Sequence, residues 1–243
     1  MSPAWRPTEL AALAMRARTS LRRWAISSST ECMGSGACVM KGVETRLTQK
    51  RKMRMAVRCA QRHGTLPPAW FLTDPDRTPD PIEIMRTLPR GFGVIYRHFG
   101  AADRMDTAMQ MKAIAAQRKL LLLASYDPEM LRLDLDGIHW PRWSWPVARH
   151  HRPHGLMTTS AHSHRQIAQT ARMCMDAVFV SSVFRSKSHS APTAMGLRRY
   201  ALLNKTTRQS LIALGGINAL NVQSVSRYSA FAGVEAIADI FEN

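Results

Sequence analysis

From residue 69 onward, short apolar runs recur with amphipathic stretches between them. Strands are predicted over residues 69–73 (AWFLT), 91–97 (GFGVIYR), 120–124 (LLLLA), 137–140 (GIHW), 156–160, 177–184 (AVFVSSVF), 211–217 (LIALGGI) and 233–237. Helices are predicted between them, over residues 82–88, 103–119, 128–135, 163–175, 196–205 and 219–227. In 103–119, Ala, Met and Ile recur at helical spacing, and Ser163 stands where it can cap the helix that follows it. Apolar strands alternating with helices imply a parallel sheet covered on both faces. Eight such units point to a closed (β/α)8 TIM barrel. The competing arrangement is an open doubly wound sheet, because residues 67–243 fall short of the roughly 200–250 residues usual for the barrel. Part of the shortfall lies in residues 141–155, a loop rich in Trp, His, Arg and Pro, so the fourth helix is expected to be shortened or missing.

Ahead of the barrel the pattern changes. Residues 46–62 (RLTQKRKMRMAVRCAQR) read as a short basic helix, which His63, Gly64, Pro67 and Pro68 bring to an end. The chain thus divides into a basic extension with no periodic apolar face over residues 1–50, a short basic helix and linker over 51–66, and the barrel over 67–243. The extension is Ser- and Arg-rich and acid-poor. This composition fits an organelle transit peptide and equally a start placed upstream of the true one. Its apolar run, Leu10 to Met15, is too short for a signal-peptide core.

Charge sharpens this division. The net charge is +17, and residues 1–66 carry 13 Lys/Arg against 3 Asp/Glu, so more than half of the excess sits in the first quarter. Such an excess suits nucleic acid, an anionic membrane or an anionic small ligand. No aromatic residues interleave with the basic ones, so a nucleic-acid surface ranks last. No run reaches about 18 apolar residues, so no membrane span is expected. The four cysteines, Cys32, Cys38, Cys59 and Cys174, match neither a zinc spacing nor a disulfide scaffold, and a reducing, cytoplasmic setting is expected.

A barrel of this kind carries its site at the carboxyl ends of the strands. That rule selects Asp74, Arg97, Ser125, His139, Ser160 to His162, Ser181 and Ser182, Gly215 and Gly216, and Ala238 and Asp239. Gly215 and Gly216 follow strand seven, where bare backbone lets amides approach an anion. The loop RSKSHSAP supplies Arg185 and Lys187 as charge, Ser186, Ser188 and Ser190 as hydroxyl donors, and His189. Arg97 ends an otherwise apolar strand and suits a phosphate or carboxylate. Imidazole is the side chain suited to proton transfer near neutral pH, which makes His162 a candidate proton shuttle. The cluster His150, His151 and His154 lies among arginines with no carboxylate near, and reads as a basic loop.

Taken in order, TSAHS, DAVFVSSVFRSKSHSAPTAMGL, ALGGINALNV, GVEAIADI and DGIHW resemble segments of the thiamine-phosphate synthase and TenI family. The tract GFGVIYRHFGAADR is most similar to a divergent bacterial branch of it. The resemblance implies transfer of a hydroxymethylpyrimidine group from its pyrophosphate to a thiazole phosphate, with Mg²⁺ and basic or hydroxyl groups holding the pyrophosphate. It places Arg97 on the pyrophosphate and Ser160 at the strand-five serine. Ser186 and Ser188 fall on the two threonines that hold the thiazole phosphate, and Gly216 on the phosphate-binding glycine.

The chain also departs from the pattern. The family's strand-two Gln and Lys fall on Ile95 and Phe99, the Asn-Asp pair ending strand three on Ala124 and Ser125, and the second metal-binding Asp at Ser144. The pyrophosphate-loop Lys falls on His189, with Lys187 two residues away. Serine is a poor Mg²⁺ ligand beside aspartate, so metal dependence is doubtful. The resemblance therefore leaves three activities in play: the synthase, with Arg97, Ser160, His162 and His189 as catalytic candidates and Arg97, Ser182, Ser186, Lys187, Ser188, His189, Gly215 and Gly216 as phosphate ligands; a TenI-like thiazole tautomerase with His162 as base; and a non-catalytic binder of a phosphorylated thiamine intermediate.

Overall fold

The computed structural model of the chain describes residues 40–150, 155–186 and 193–241. Eight parallel strands close on themselves in chain order: β1 Ala69–Leu72, β2 Gly93–Tyr96, β3 Leu121–Ser125, β4 Gly137–Trp140, β5 Leu156–Ala161, β6 Ala177–Val180, β7 Ser210–Ala213 and β8 Ala230–Gly233. The closing pair is β1 with β8, where Trp70 lies opposite Ala232. The open-sheet alternative is thereby excluded. The barrel fits its short chain because strands span only four to six residues and two connections are minimal.

Around the barrel run α1 Met40–Ala60, α2 Pro81–Thr87, α3 Arg104–Arg118, α4 Trp145–Ala148, α5 His164–Thr170, α6 Leu197–Thr206, α7 Val222–Ser226 and α8 Glu235–Phe241. Local chemistry accounts for several starts. The Asp80 carboxylate accepts the amides of Ile82 and Glu83 with Pro81 in the first turn, and Ser163 caps α5 by accepting the Gln166 amide. The fourth connection holds a 3₁₀ turn, Arg142–Ser144, and the single turn α4, anchored where Trp145 Nε1 donates to Thr159 Oγ1 at 2.8 Å.

Four expectations need correction. The helix expected over 128–135 is only a 3₁₀ turn, Met130–Arg132. Strand six stops at Val180, because the chain leaves the sheet at Ser181. Strand eight is Ala230–Gly233 rather than 233–237. The apolar run continues straight from strand into α8, and Glu235 in the first turn favours the helix start. Ala238 and Asp239 therefore lie within a helix, away from the strand end. Finally, strand seven is Ser210–Ala213 and stops short of residue 217; the basic helix read over 46–62 is α1, which buries Met53, Ala56 and Ala60 in the core that surrounds the barrel. Residues 1–39 lie outside the described residues.

Two cores follow from the period-two alternation of the strands. Outside the sheet a large cluster packs under the helices. Inside, Trp70, Leu72, Ile95, Leu123, Ala177, Phe179, Ile212 and Ala232 fill the barrel. Trp70 meets Phe179 edge-on at 5.4 Å, and Gly93 must lack a side chain because a Cβ there would strike the Trp70 indole. At the amino end, Asp136 Oδ2 accepts the Leu122 amide and Asp176 Oδ2 accepts the Met157 amide, each at 2.7 Å. Burial raises the pKa of both carboxyls. Among the described residues no helix is long and apolar enough to cross a membrane.

Candidate active site at the barrel mouth

The inward positions of the strands continue past the apolar interior by one more step of two. That step carries Leu72 to Asp74, Ile95 to Arg97, Leu123 to Ser125, Gly137 to His139, Thr158 to Ser160 and Phe179 to Ser181. The packed interior therefore ends in a polar ring at the carboxyl ends of the strands.

On one side of this ring the groups are ionic. The Arg97 Nε donates to the Thr73 carbonyl at 2.7 Å and its Nη2 lies 3.5 Å from Asp74 Oδ2. Arg77 donates to that same oxygen at 2.8 Å, while Asp74 Oδ1 accepts the amides of Asp76 and Arg77. Asp74 is held below the usual carboxylate range: burial opposes this, but Arg77, by hydrogen bond and charge, outweighs it with help from Arg97. Behind the end of β3 lies Arg104, buried, with Nη1 2.7 Å from Asp127 and Nη2 donating to the Ser125 carbonyl at 2.9 Å. The Phe99 ring covers this guanidinium at 5.1 Å.

At the centre stands His139. Its Nδ1 lies 3.0 Å from Thr158 Oγ1 and its Nε2 3.1 Å from Ser160 Oγ. Burial, with the positive charge of Arg97 adding to it, pushes the pKa down to about 3. The ring is therefore neutral at physiological pH. A neutral imidazole has one donor and one acceptor, so one hydroxyl donates to it and the other receives from it. This fixes the Ser160 hydroxyl, which stays half-exposed at the rim.

The opposite side is built from backbone. Gly215 and Gly216 have φ of +91° and +66°, and neither amide donates to an acceptor among the described residues. A Cβ on Gly215 would collide with Ser182 Oγ, and one on Gly216 with the carbonyls of Phe184 and Arg185. Only glycine fits this close approach. The Asn221 side chain donates to the Gly216 carbonyl at 2.9 Å and ties the turn to the following helix. Ser182 is 1% exposed and lies beneath the turn, without a hydrogen-bond partner for its hydroxyl among the described residues. It supports Gly215 rather than facing the mouth.

His162 is exposed, and its Nδ1 donates to the Ser181 carbonyl at 2.8 Å, since a carbonyl can only accept. Nε2 is then the free basic nitrogen. Ser186 is half-buried at the end of the loop after β6. Lys187, Ser188 and His189 lie outside the described residues, as do His151 and His154. Sequence reasoning missed Arg77 and Arg104 as members of the rim. Both stand in loop or helix-start positions, and neither carries a spacing that would have marked it.

Over residues 84–240 the chain matches the sequence model of the thiamine monophosphate synthase family. The chain belongs to this family. It is 28% identical to the thiamine-phosphate synthase of Oceanobacillus iheyensis, over 57% of this chain and 69% of that protein. It is 25% identical to the thiamine-phosphate synthase of Chloroflexus aurantiacus, over 58% of this chain and 66% of that one. In fold it is similar to the thiamine phosphate pyrophosphorylase of Pyrococcus furiosus, with a TM-score of 0.61 and 17% identity over 72% of this chain and 91% of that structure.

Family membership implies Mg²⁺, and the residues present do not fit it. Ser125 and Ser144, where the resemblance implies metal ligands, offer only hydroxyls, and Ser144 Oγ donates to the Pro141 carbonyl at 2.7 Å. Asp74 and Asp127, carboxylates just past the ends of β1 and β3, are both engaged by arginines.

Proposed function

We propose that the chain transfers a hydroxymethylpyrimidine group from its pyrophosphate to a thiazole phosphate. Family membership supports this reading, and one arrangement carries it: a glycine turn with free amides and a guanidinium at opposite sides of one ring, with an oriented hydroxyl between them. The Gly215 and Gly216 amides would hold the thiazole phosphate, as backbone donors do at the ends of strands seven and eight. Arg97 would face the pyrophosphate. As the bond from the pyrimidine methylene to the pyrophosphate oxygen breaks, its electron pair moves to that oxygen, and Arg97 neutralises the growing charge. The thiazole nitrogen lone pair then captures the methylene cation. No general base is required, which agrees with a His139 that stays neutral and orients Ser160. The expected outcome with the full chain and both substrates is thiamine phosphate and pyrophosphate in equal amounts. No product at high enzyme concentration would refute the assignment.

A second reading has its own observation. With Nδ1 of His162 bonded to the Ser181 carbonyl, its exposed Nε2 faces outward and suits proton movement on a thiazole carboxylate. Tautomerisation of that substrate, lost in His162→Ala with phosphate binding intact, would select it. Binding of thiazole phosphate with no turnover of either kind would select the non-catalytic role.

A further inference from the structure

The arrangement of charge around the mouth carries one step further, resting on the phosphate reading above. Hard divalent cations need oxygen ligands, and carboxylates supply most of their affinity. Here Asp74 and Asp127, the carboxylates just past the ends of β1 and β3, are already committed. Asp74 Oδ2 receives Arg77 at 2.8 Å and lies 3.5 Å from Arg97, and Asp74 Oδ1 receives two backbone amides. Asp127 Oδ2 receives Arg104 and Asp127 Oδ1 the Glu129 amide. The Ser125 hydroxyl is buried, and its carbonyl, a further oxygen that could face a cation, accepts from Arg104 instead. Among the described residues no group of three His, Cys, Asp or Glu side chains is gathered for a metal ion. Arg77, Arg97 and Arg104 thus take up the oxygens of Asp74 and Asp127 that a divalent cation would need, and the Arg97 guanidinium is placed to meet an anion instead.

We propose that the mouth binds its phosphate-bearing ligand without a divalent cation, the guanidinium of Arg97 supplying the positive charge and Arg77 and Arg104 holding the two carboxylates away from metal. Arg97 is suited to this because its Nε is anchored on the Thr73 carbonyl, while Asp74 is shared with Arg77 and leaves Arg97 only a long contact. A guanidinium also presents paired donors to phosphate oxygens.

The test uses the full chain and inorganic phosphate, in chelator and in Mg²⁺, with calorimetry as readout. Affinity is expected to agree within about twofold between the two conditions, and to fall about tenfold or more in Arg97→Ala, with Arg97→Lys between them. Electron paramagnetic resonance of added Mn²⁺ gives a second measure that needs no activity: phosphate should cause no additional Mn²⁺ uptake by the protein. Phosphate that binds only with Mg²⁺, or phosphate-dependent Mn²⁺ uptake, overturns this inference and leaves the proposed function standing. Phosphate that binds in neither condition removes the phosphate site and both readings with it.

Discussion

The two halves of the barrel build their rims from different materials. From β5 to β8 the rim is backbone and hydroxyl: the Gly215 and Gly216 turn, Ser160, Ser181 and the buried support of Ser182. From β1 to β4 it is charge: Arg77 and Arg97 on Asp74, and Arg104 on Asp127. A backbone site tolerates almost no change, because a single Cβ destroys it. A charged site can exchange one source of positive potential for another. The resemblance implies departures at Ser125 and Ser144 in the first half and at His189 in the second, while the glycine it implies at Gly216 is kept.

The sharpest way to break the comparison is Gly216→Ala. The added Cβ meets the backbone of Phe184 and Arg185, which cannot swing aside, at a φ that disfavours alanine. Affinity for thiazole phosphate should fall about a hundredfold, or about 2.7 kcal/mol, by calorimetry; an unchanged affinity would show that the turn is not the thiazole-phosphate site. Next is Arg104→Ala, which strips Asp127 and the Ser125 carbonyl of their charged partner. Urea unfolding should report a loss of about 2 kcal/mol, with phosphate affinity less affected than in Arg97→Ala.

Smaller is the acid response of His139. Its folded pKa of about 3 lies below the ordinary 6.5, so the unfolded chain takes up the proton first. Stability contributed by the neutral ring is complete above pH 6.5 and drains away as pH falls toward 3. Each pH unit in that window should cost about 1.4 kcal/mol more in the native chain than in His139→Gln. Matching acid limbs in the two proteins would show that the ring is not buried neutral. Smallest is removal of residues 1–50. The cut falls inside α1, yet Met53, Ala56 and Ala60 remain; it removes the exposed bond from Arg46 to the Asp239 carbonyl. Stability should change by less than about 1 kcal/mol, and insoluble or unfolded truncated protein would contradict this.

Much of this was legible in the sequence because strands and glycines leave local marks. Apolar runs between helical stretches announced eight units, and Gly215 and Gly216 stood at the end of one. Boundaries failed where the mark was nearly continuous: AFAGVEAI is apolar but for Glu235, so the switch from β8 to α8 after Gly233 left little break in hydrophobicity. The charged half was legible only through the resemblance. That resemblance implies a carboxylate where Ser125 stands, but that Arg104, 21 residues earlier, grips the carbonyl of that serine is a tertiary fact. The neutral state of His139 likewise depends on Thr158, Ser160 and Phe179, brought to it by strand pairing.

The indole of Trp70, wedged where Gly93 makes room for it, turns the barrel into a cup with a solid floor. Two substrates must come in, and two products go out, through one opening. On the proposed reading, the chemistry is confined to the space above the indole.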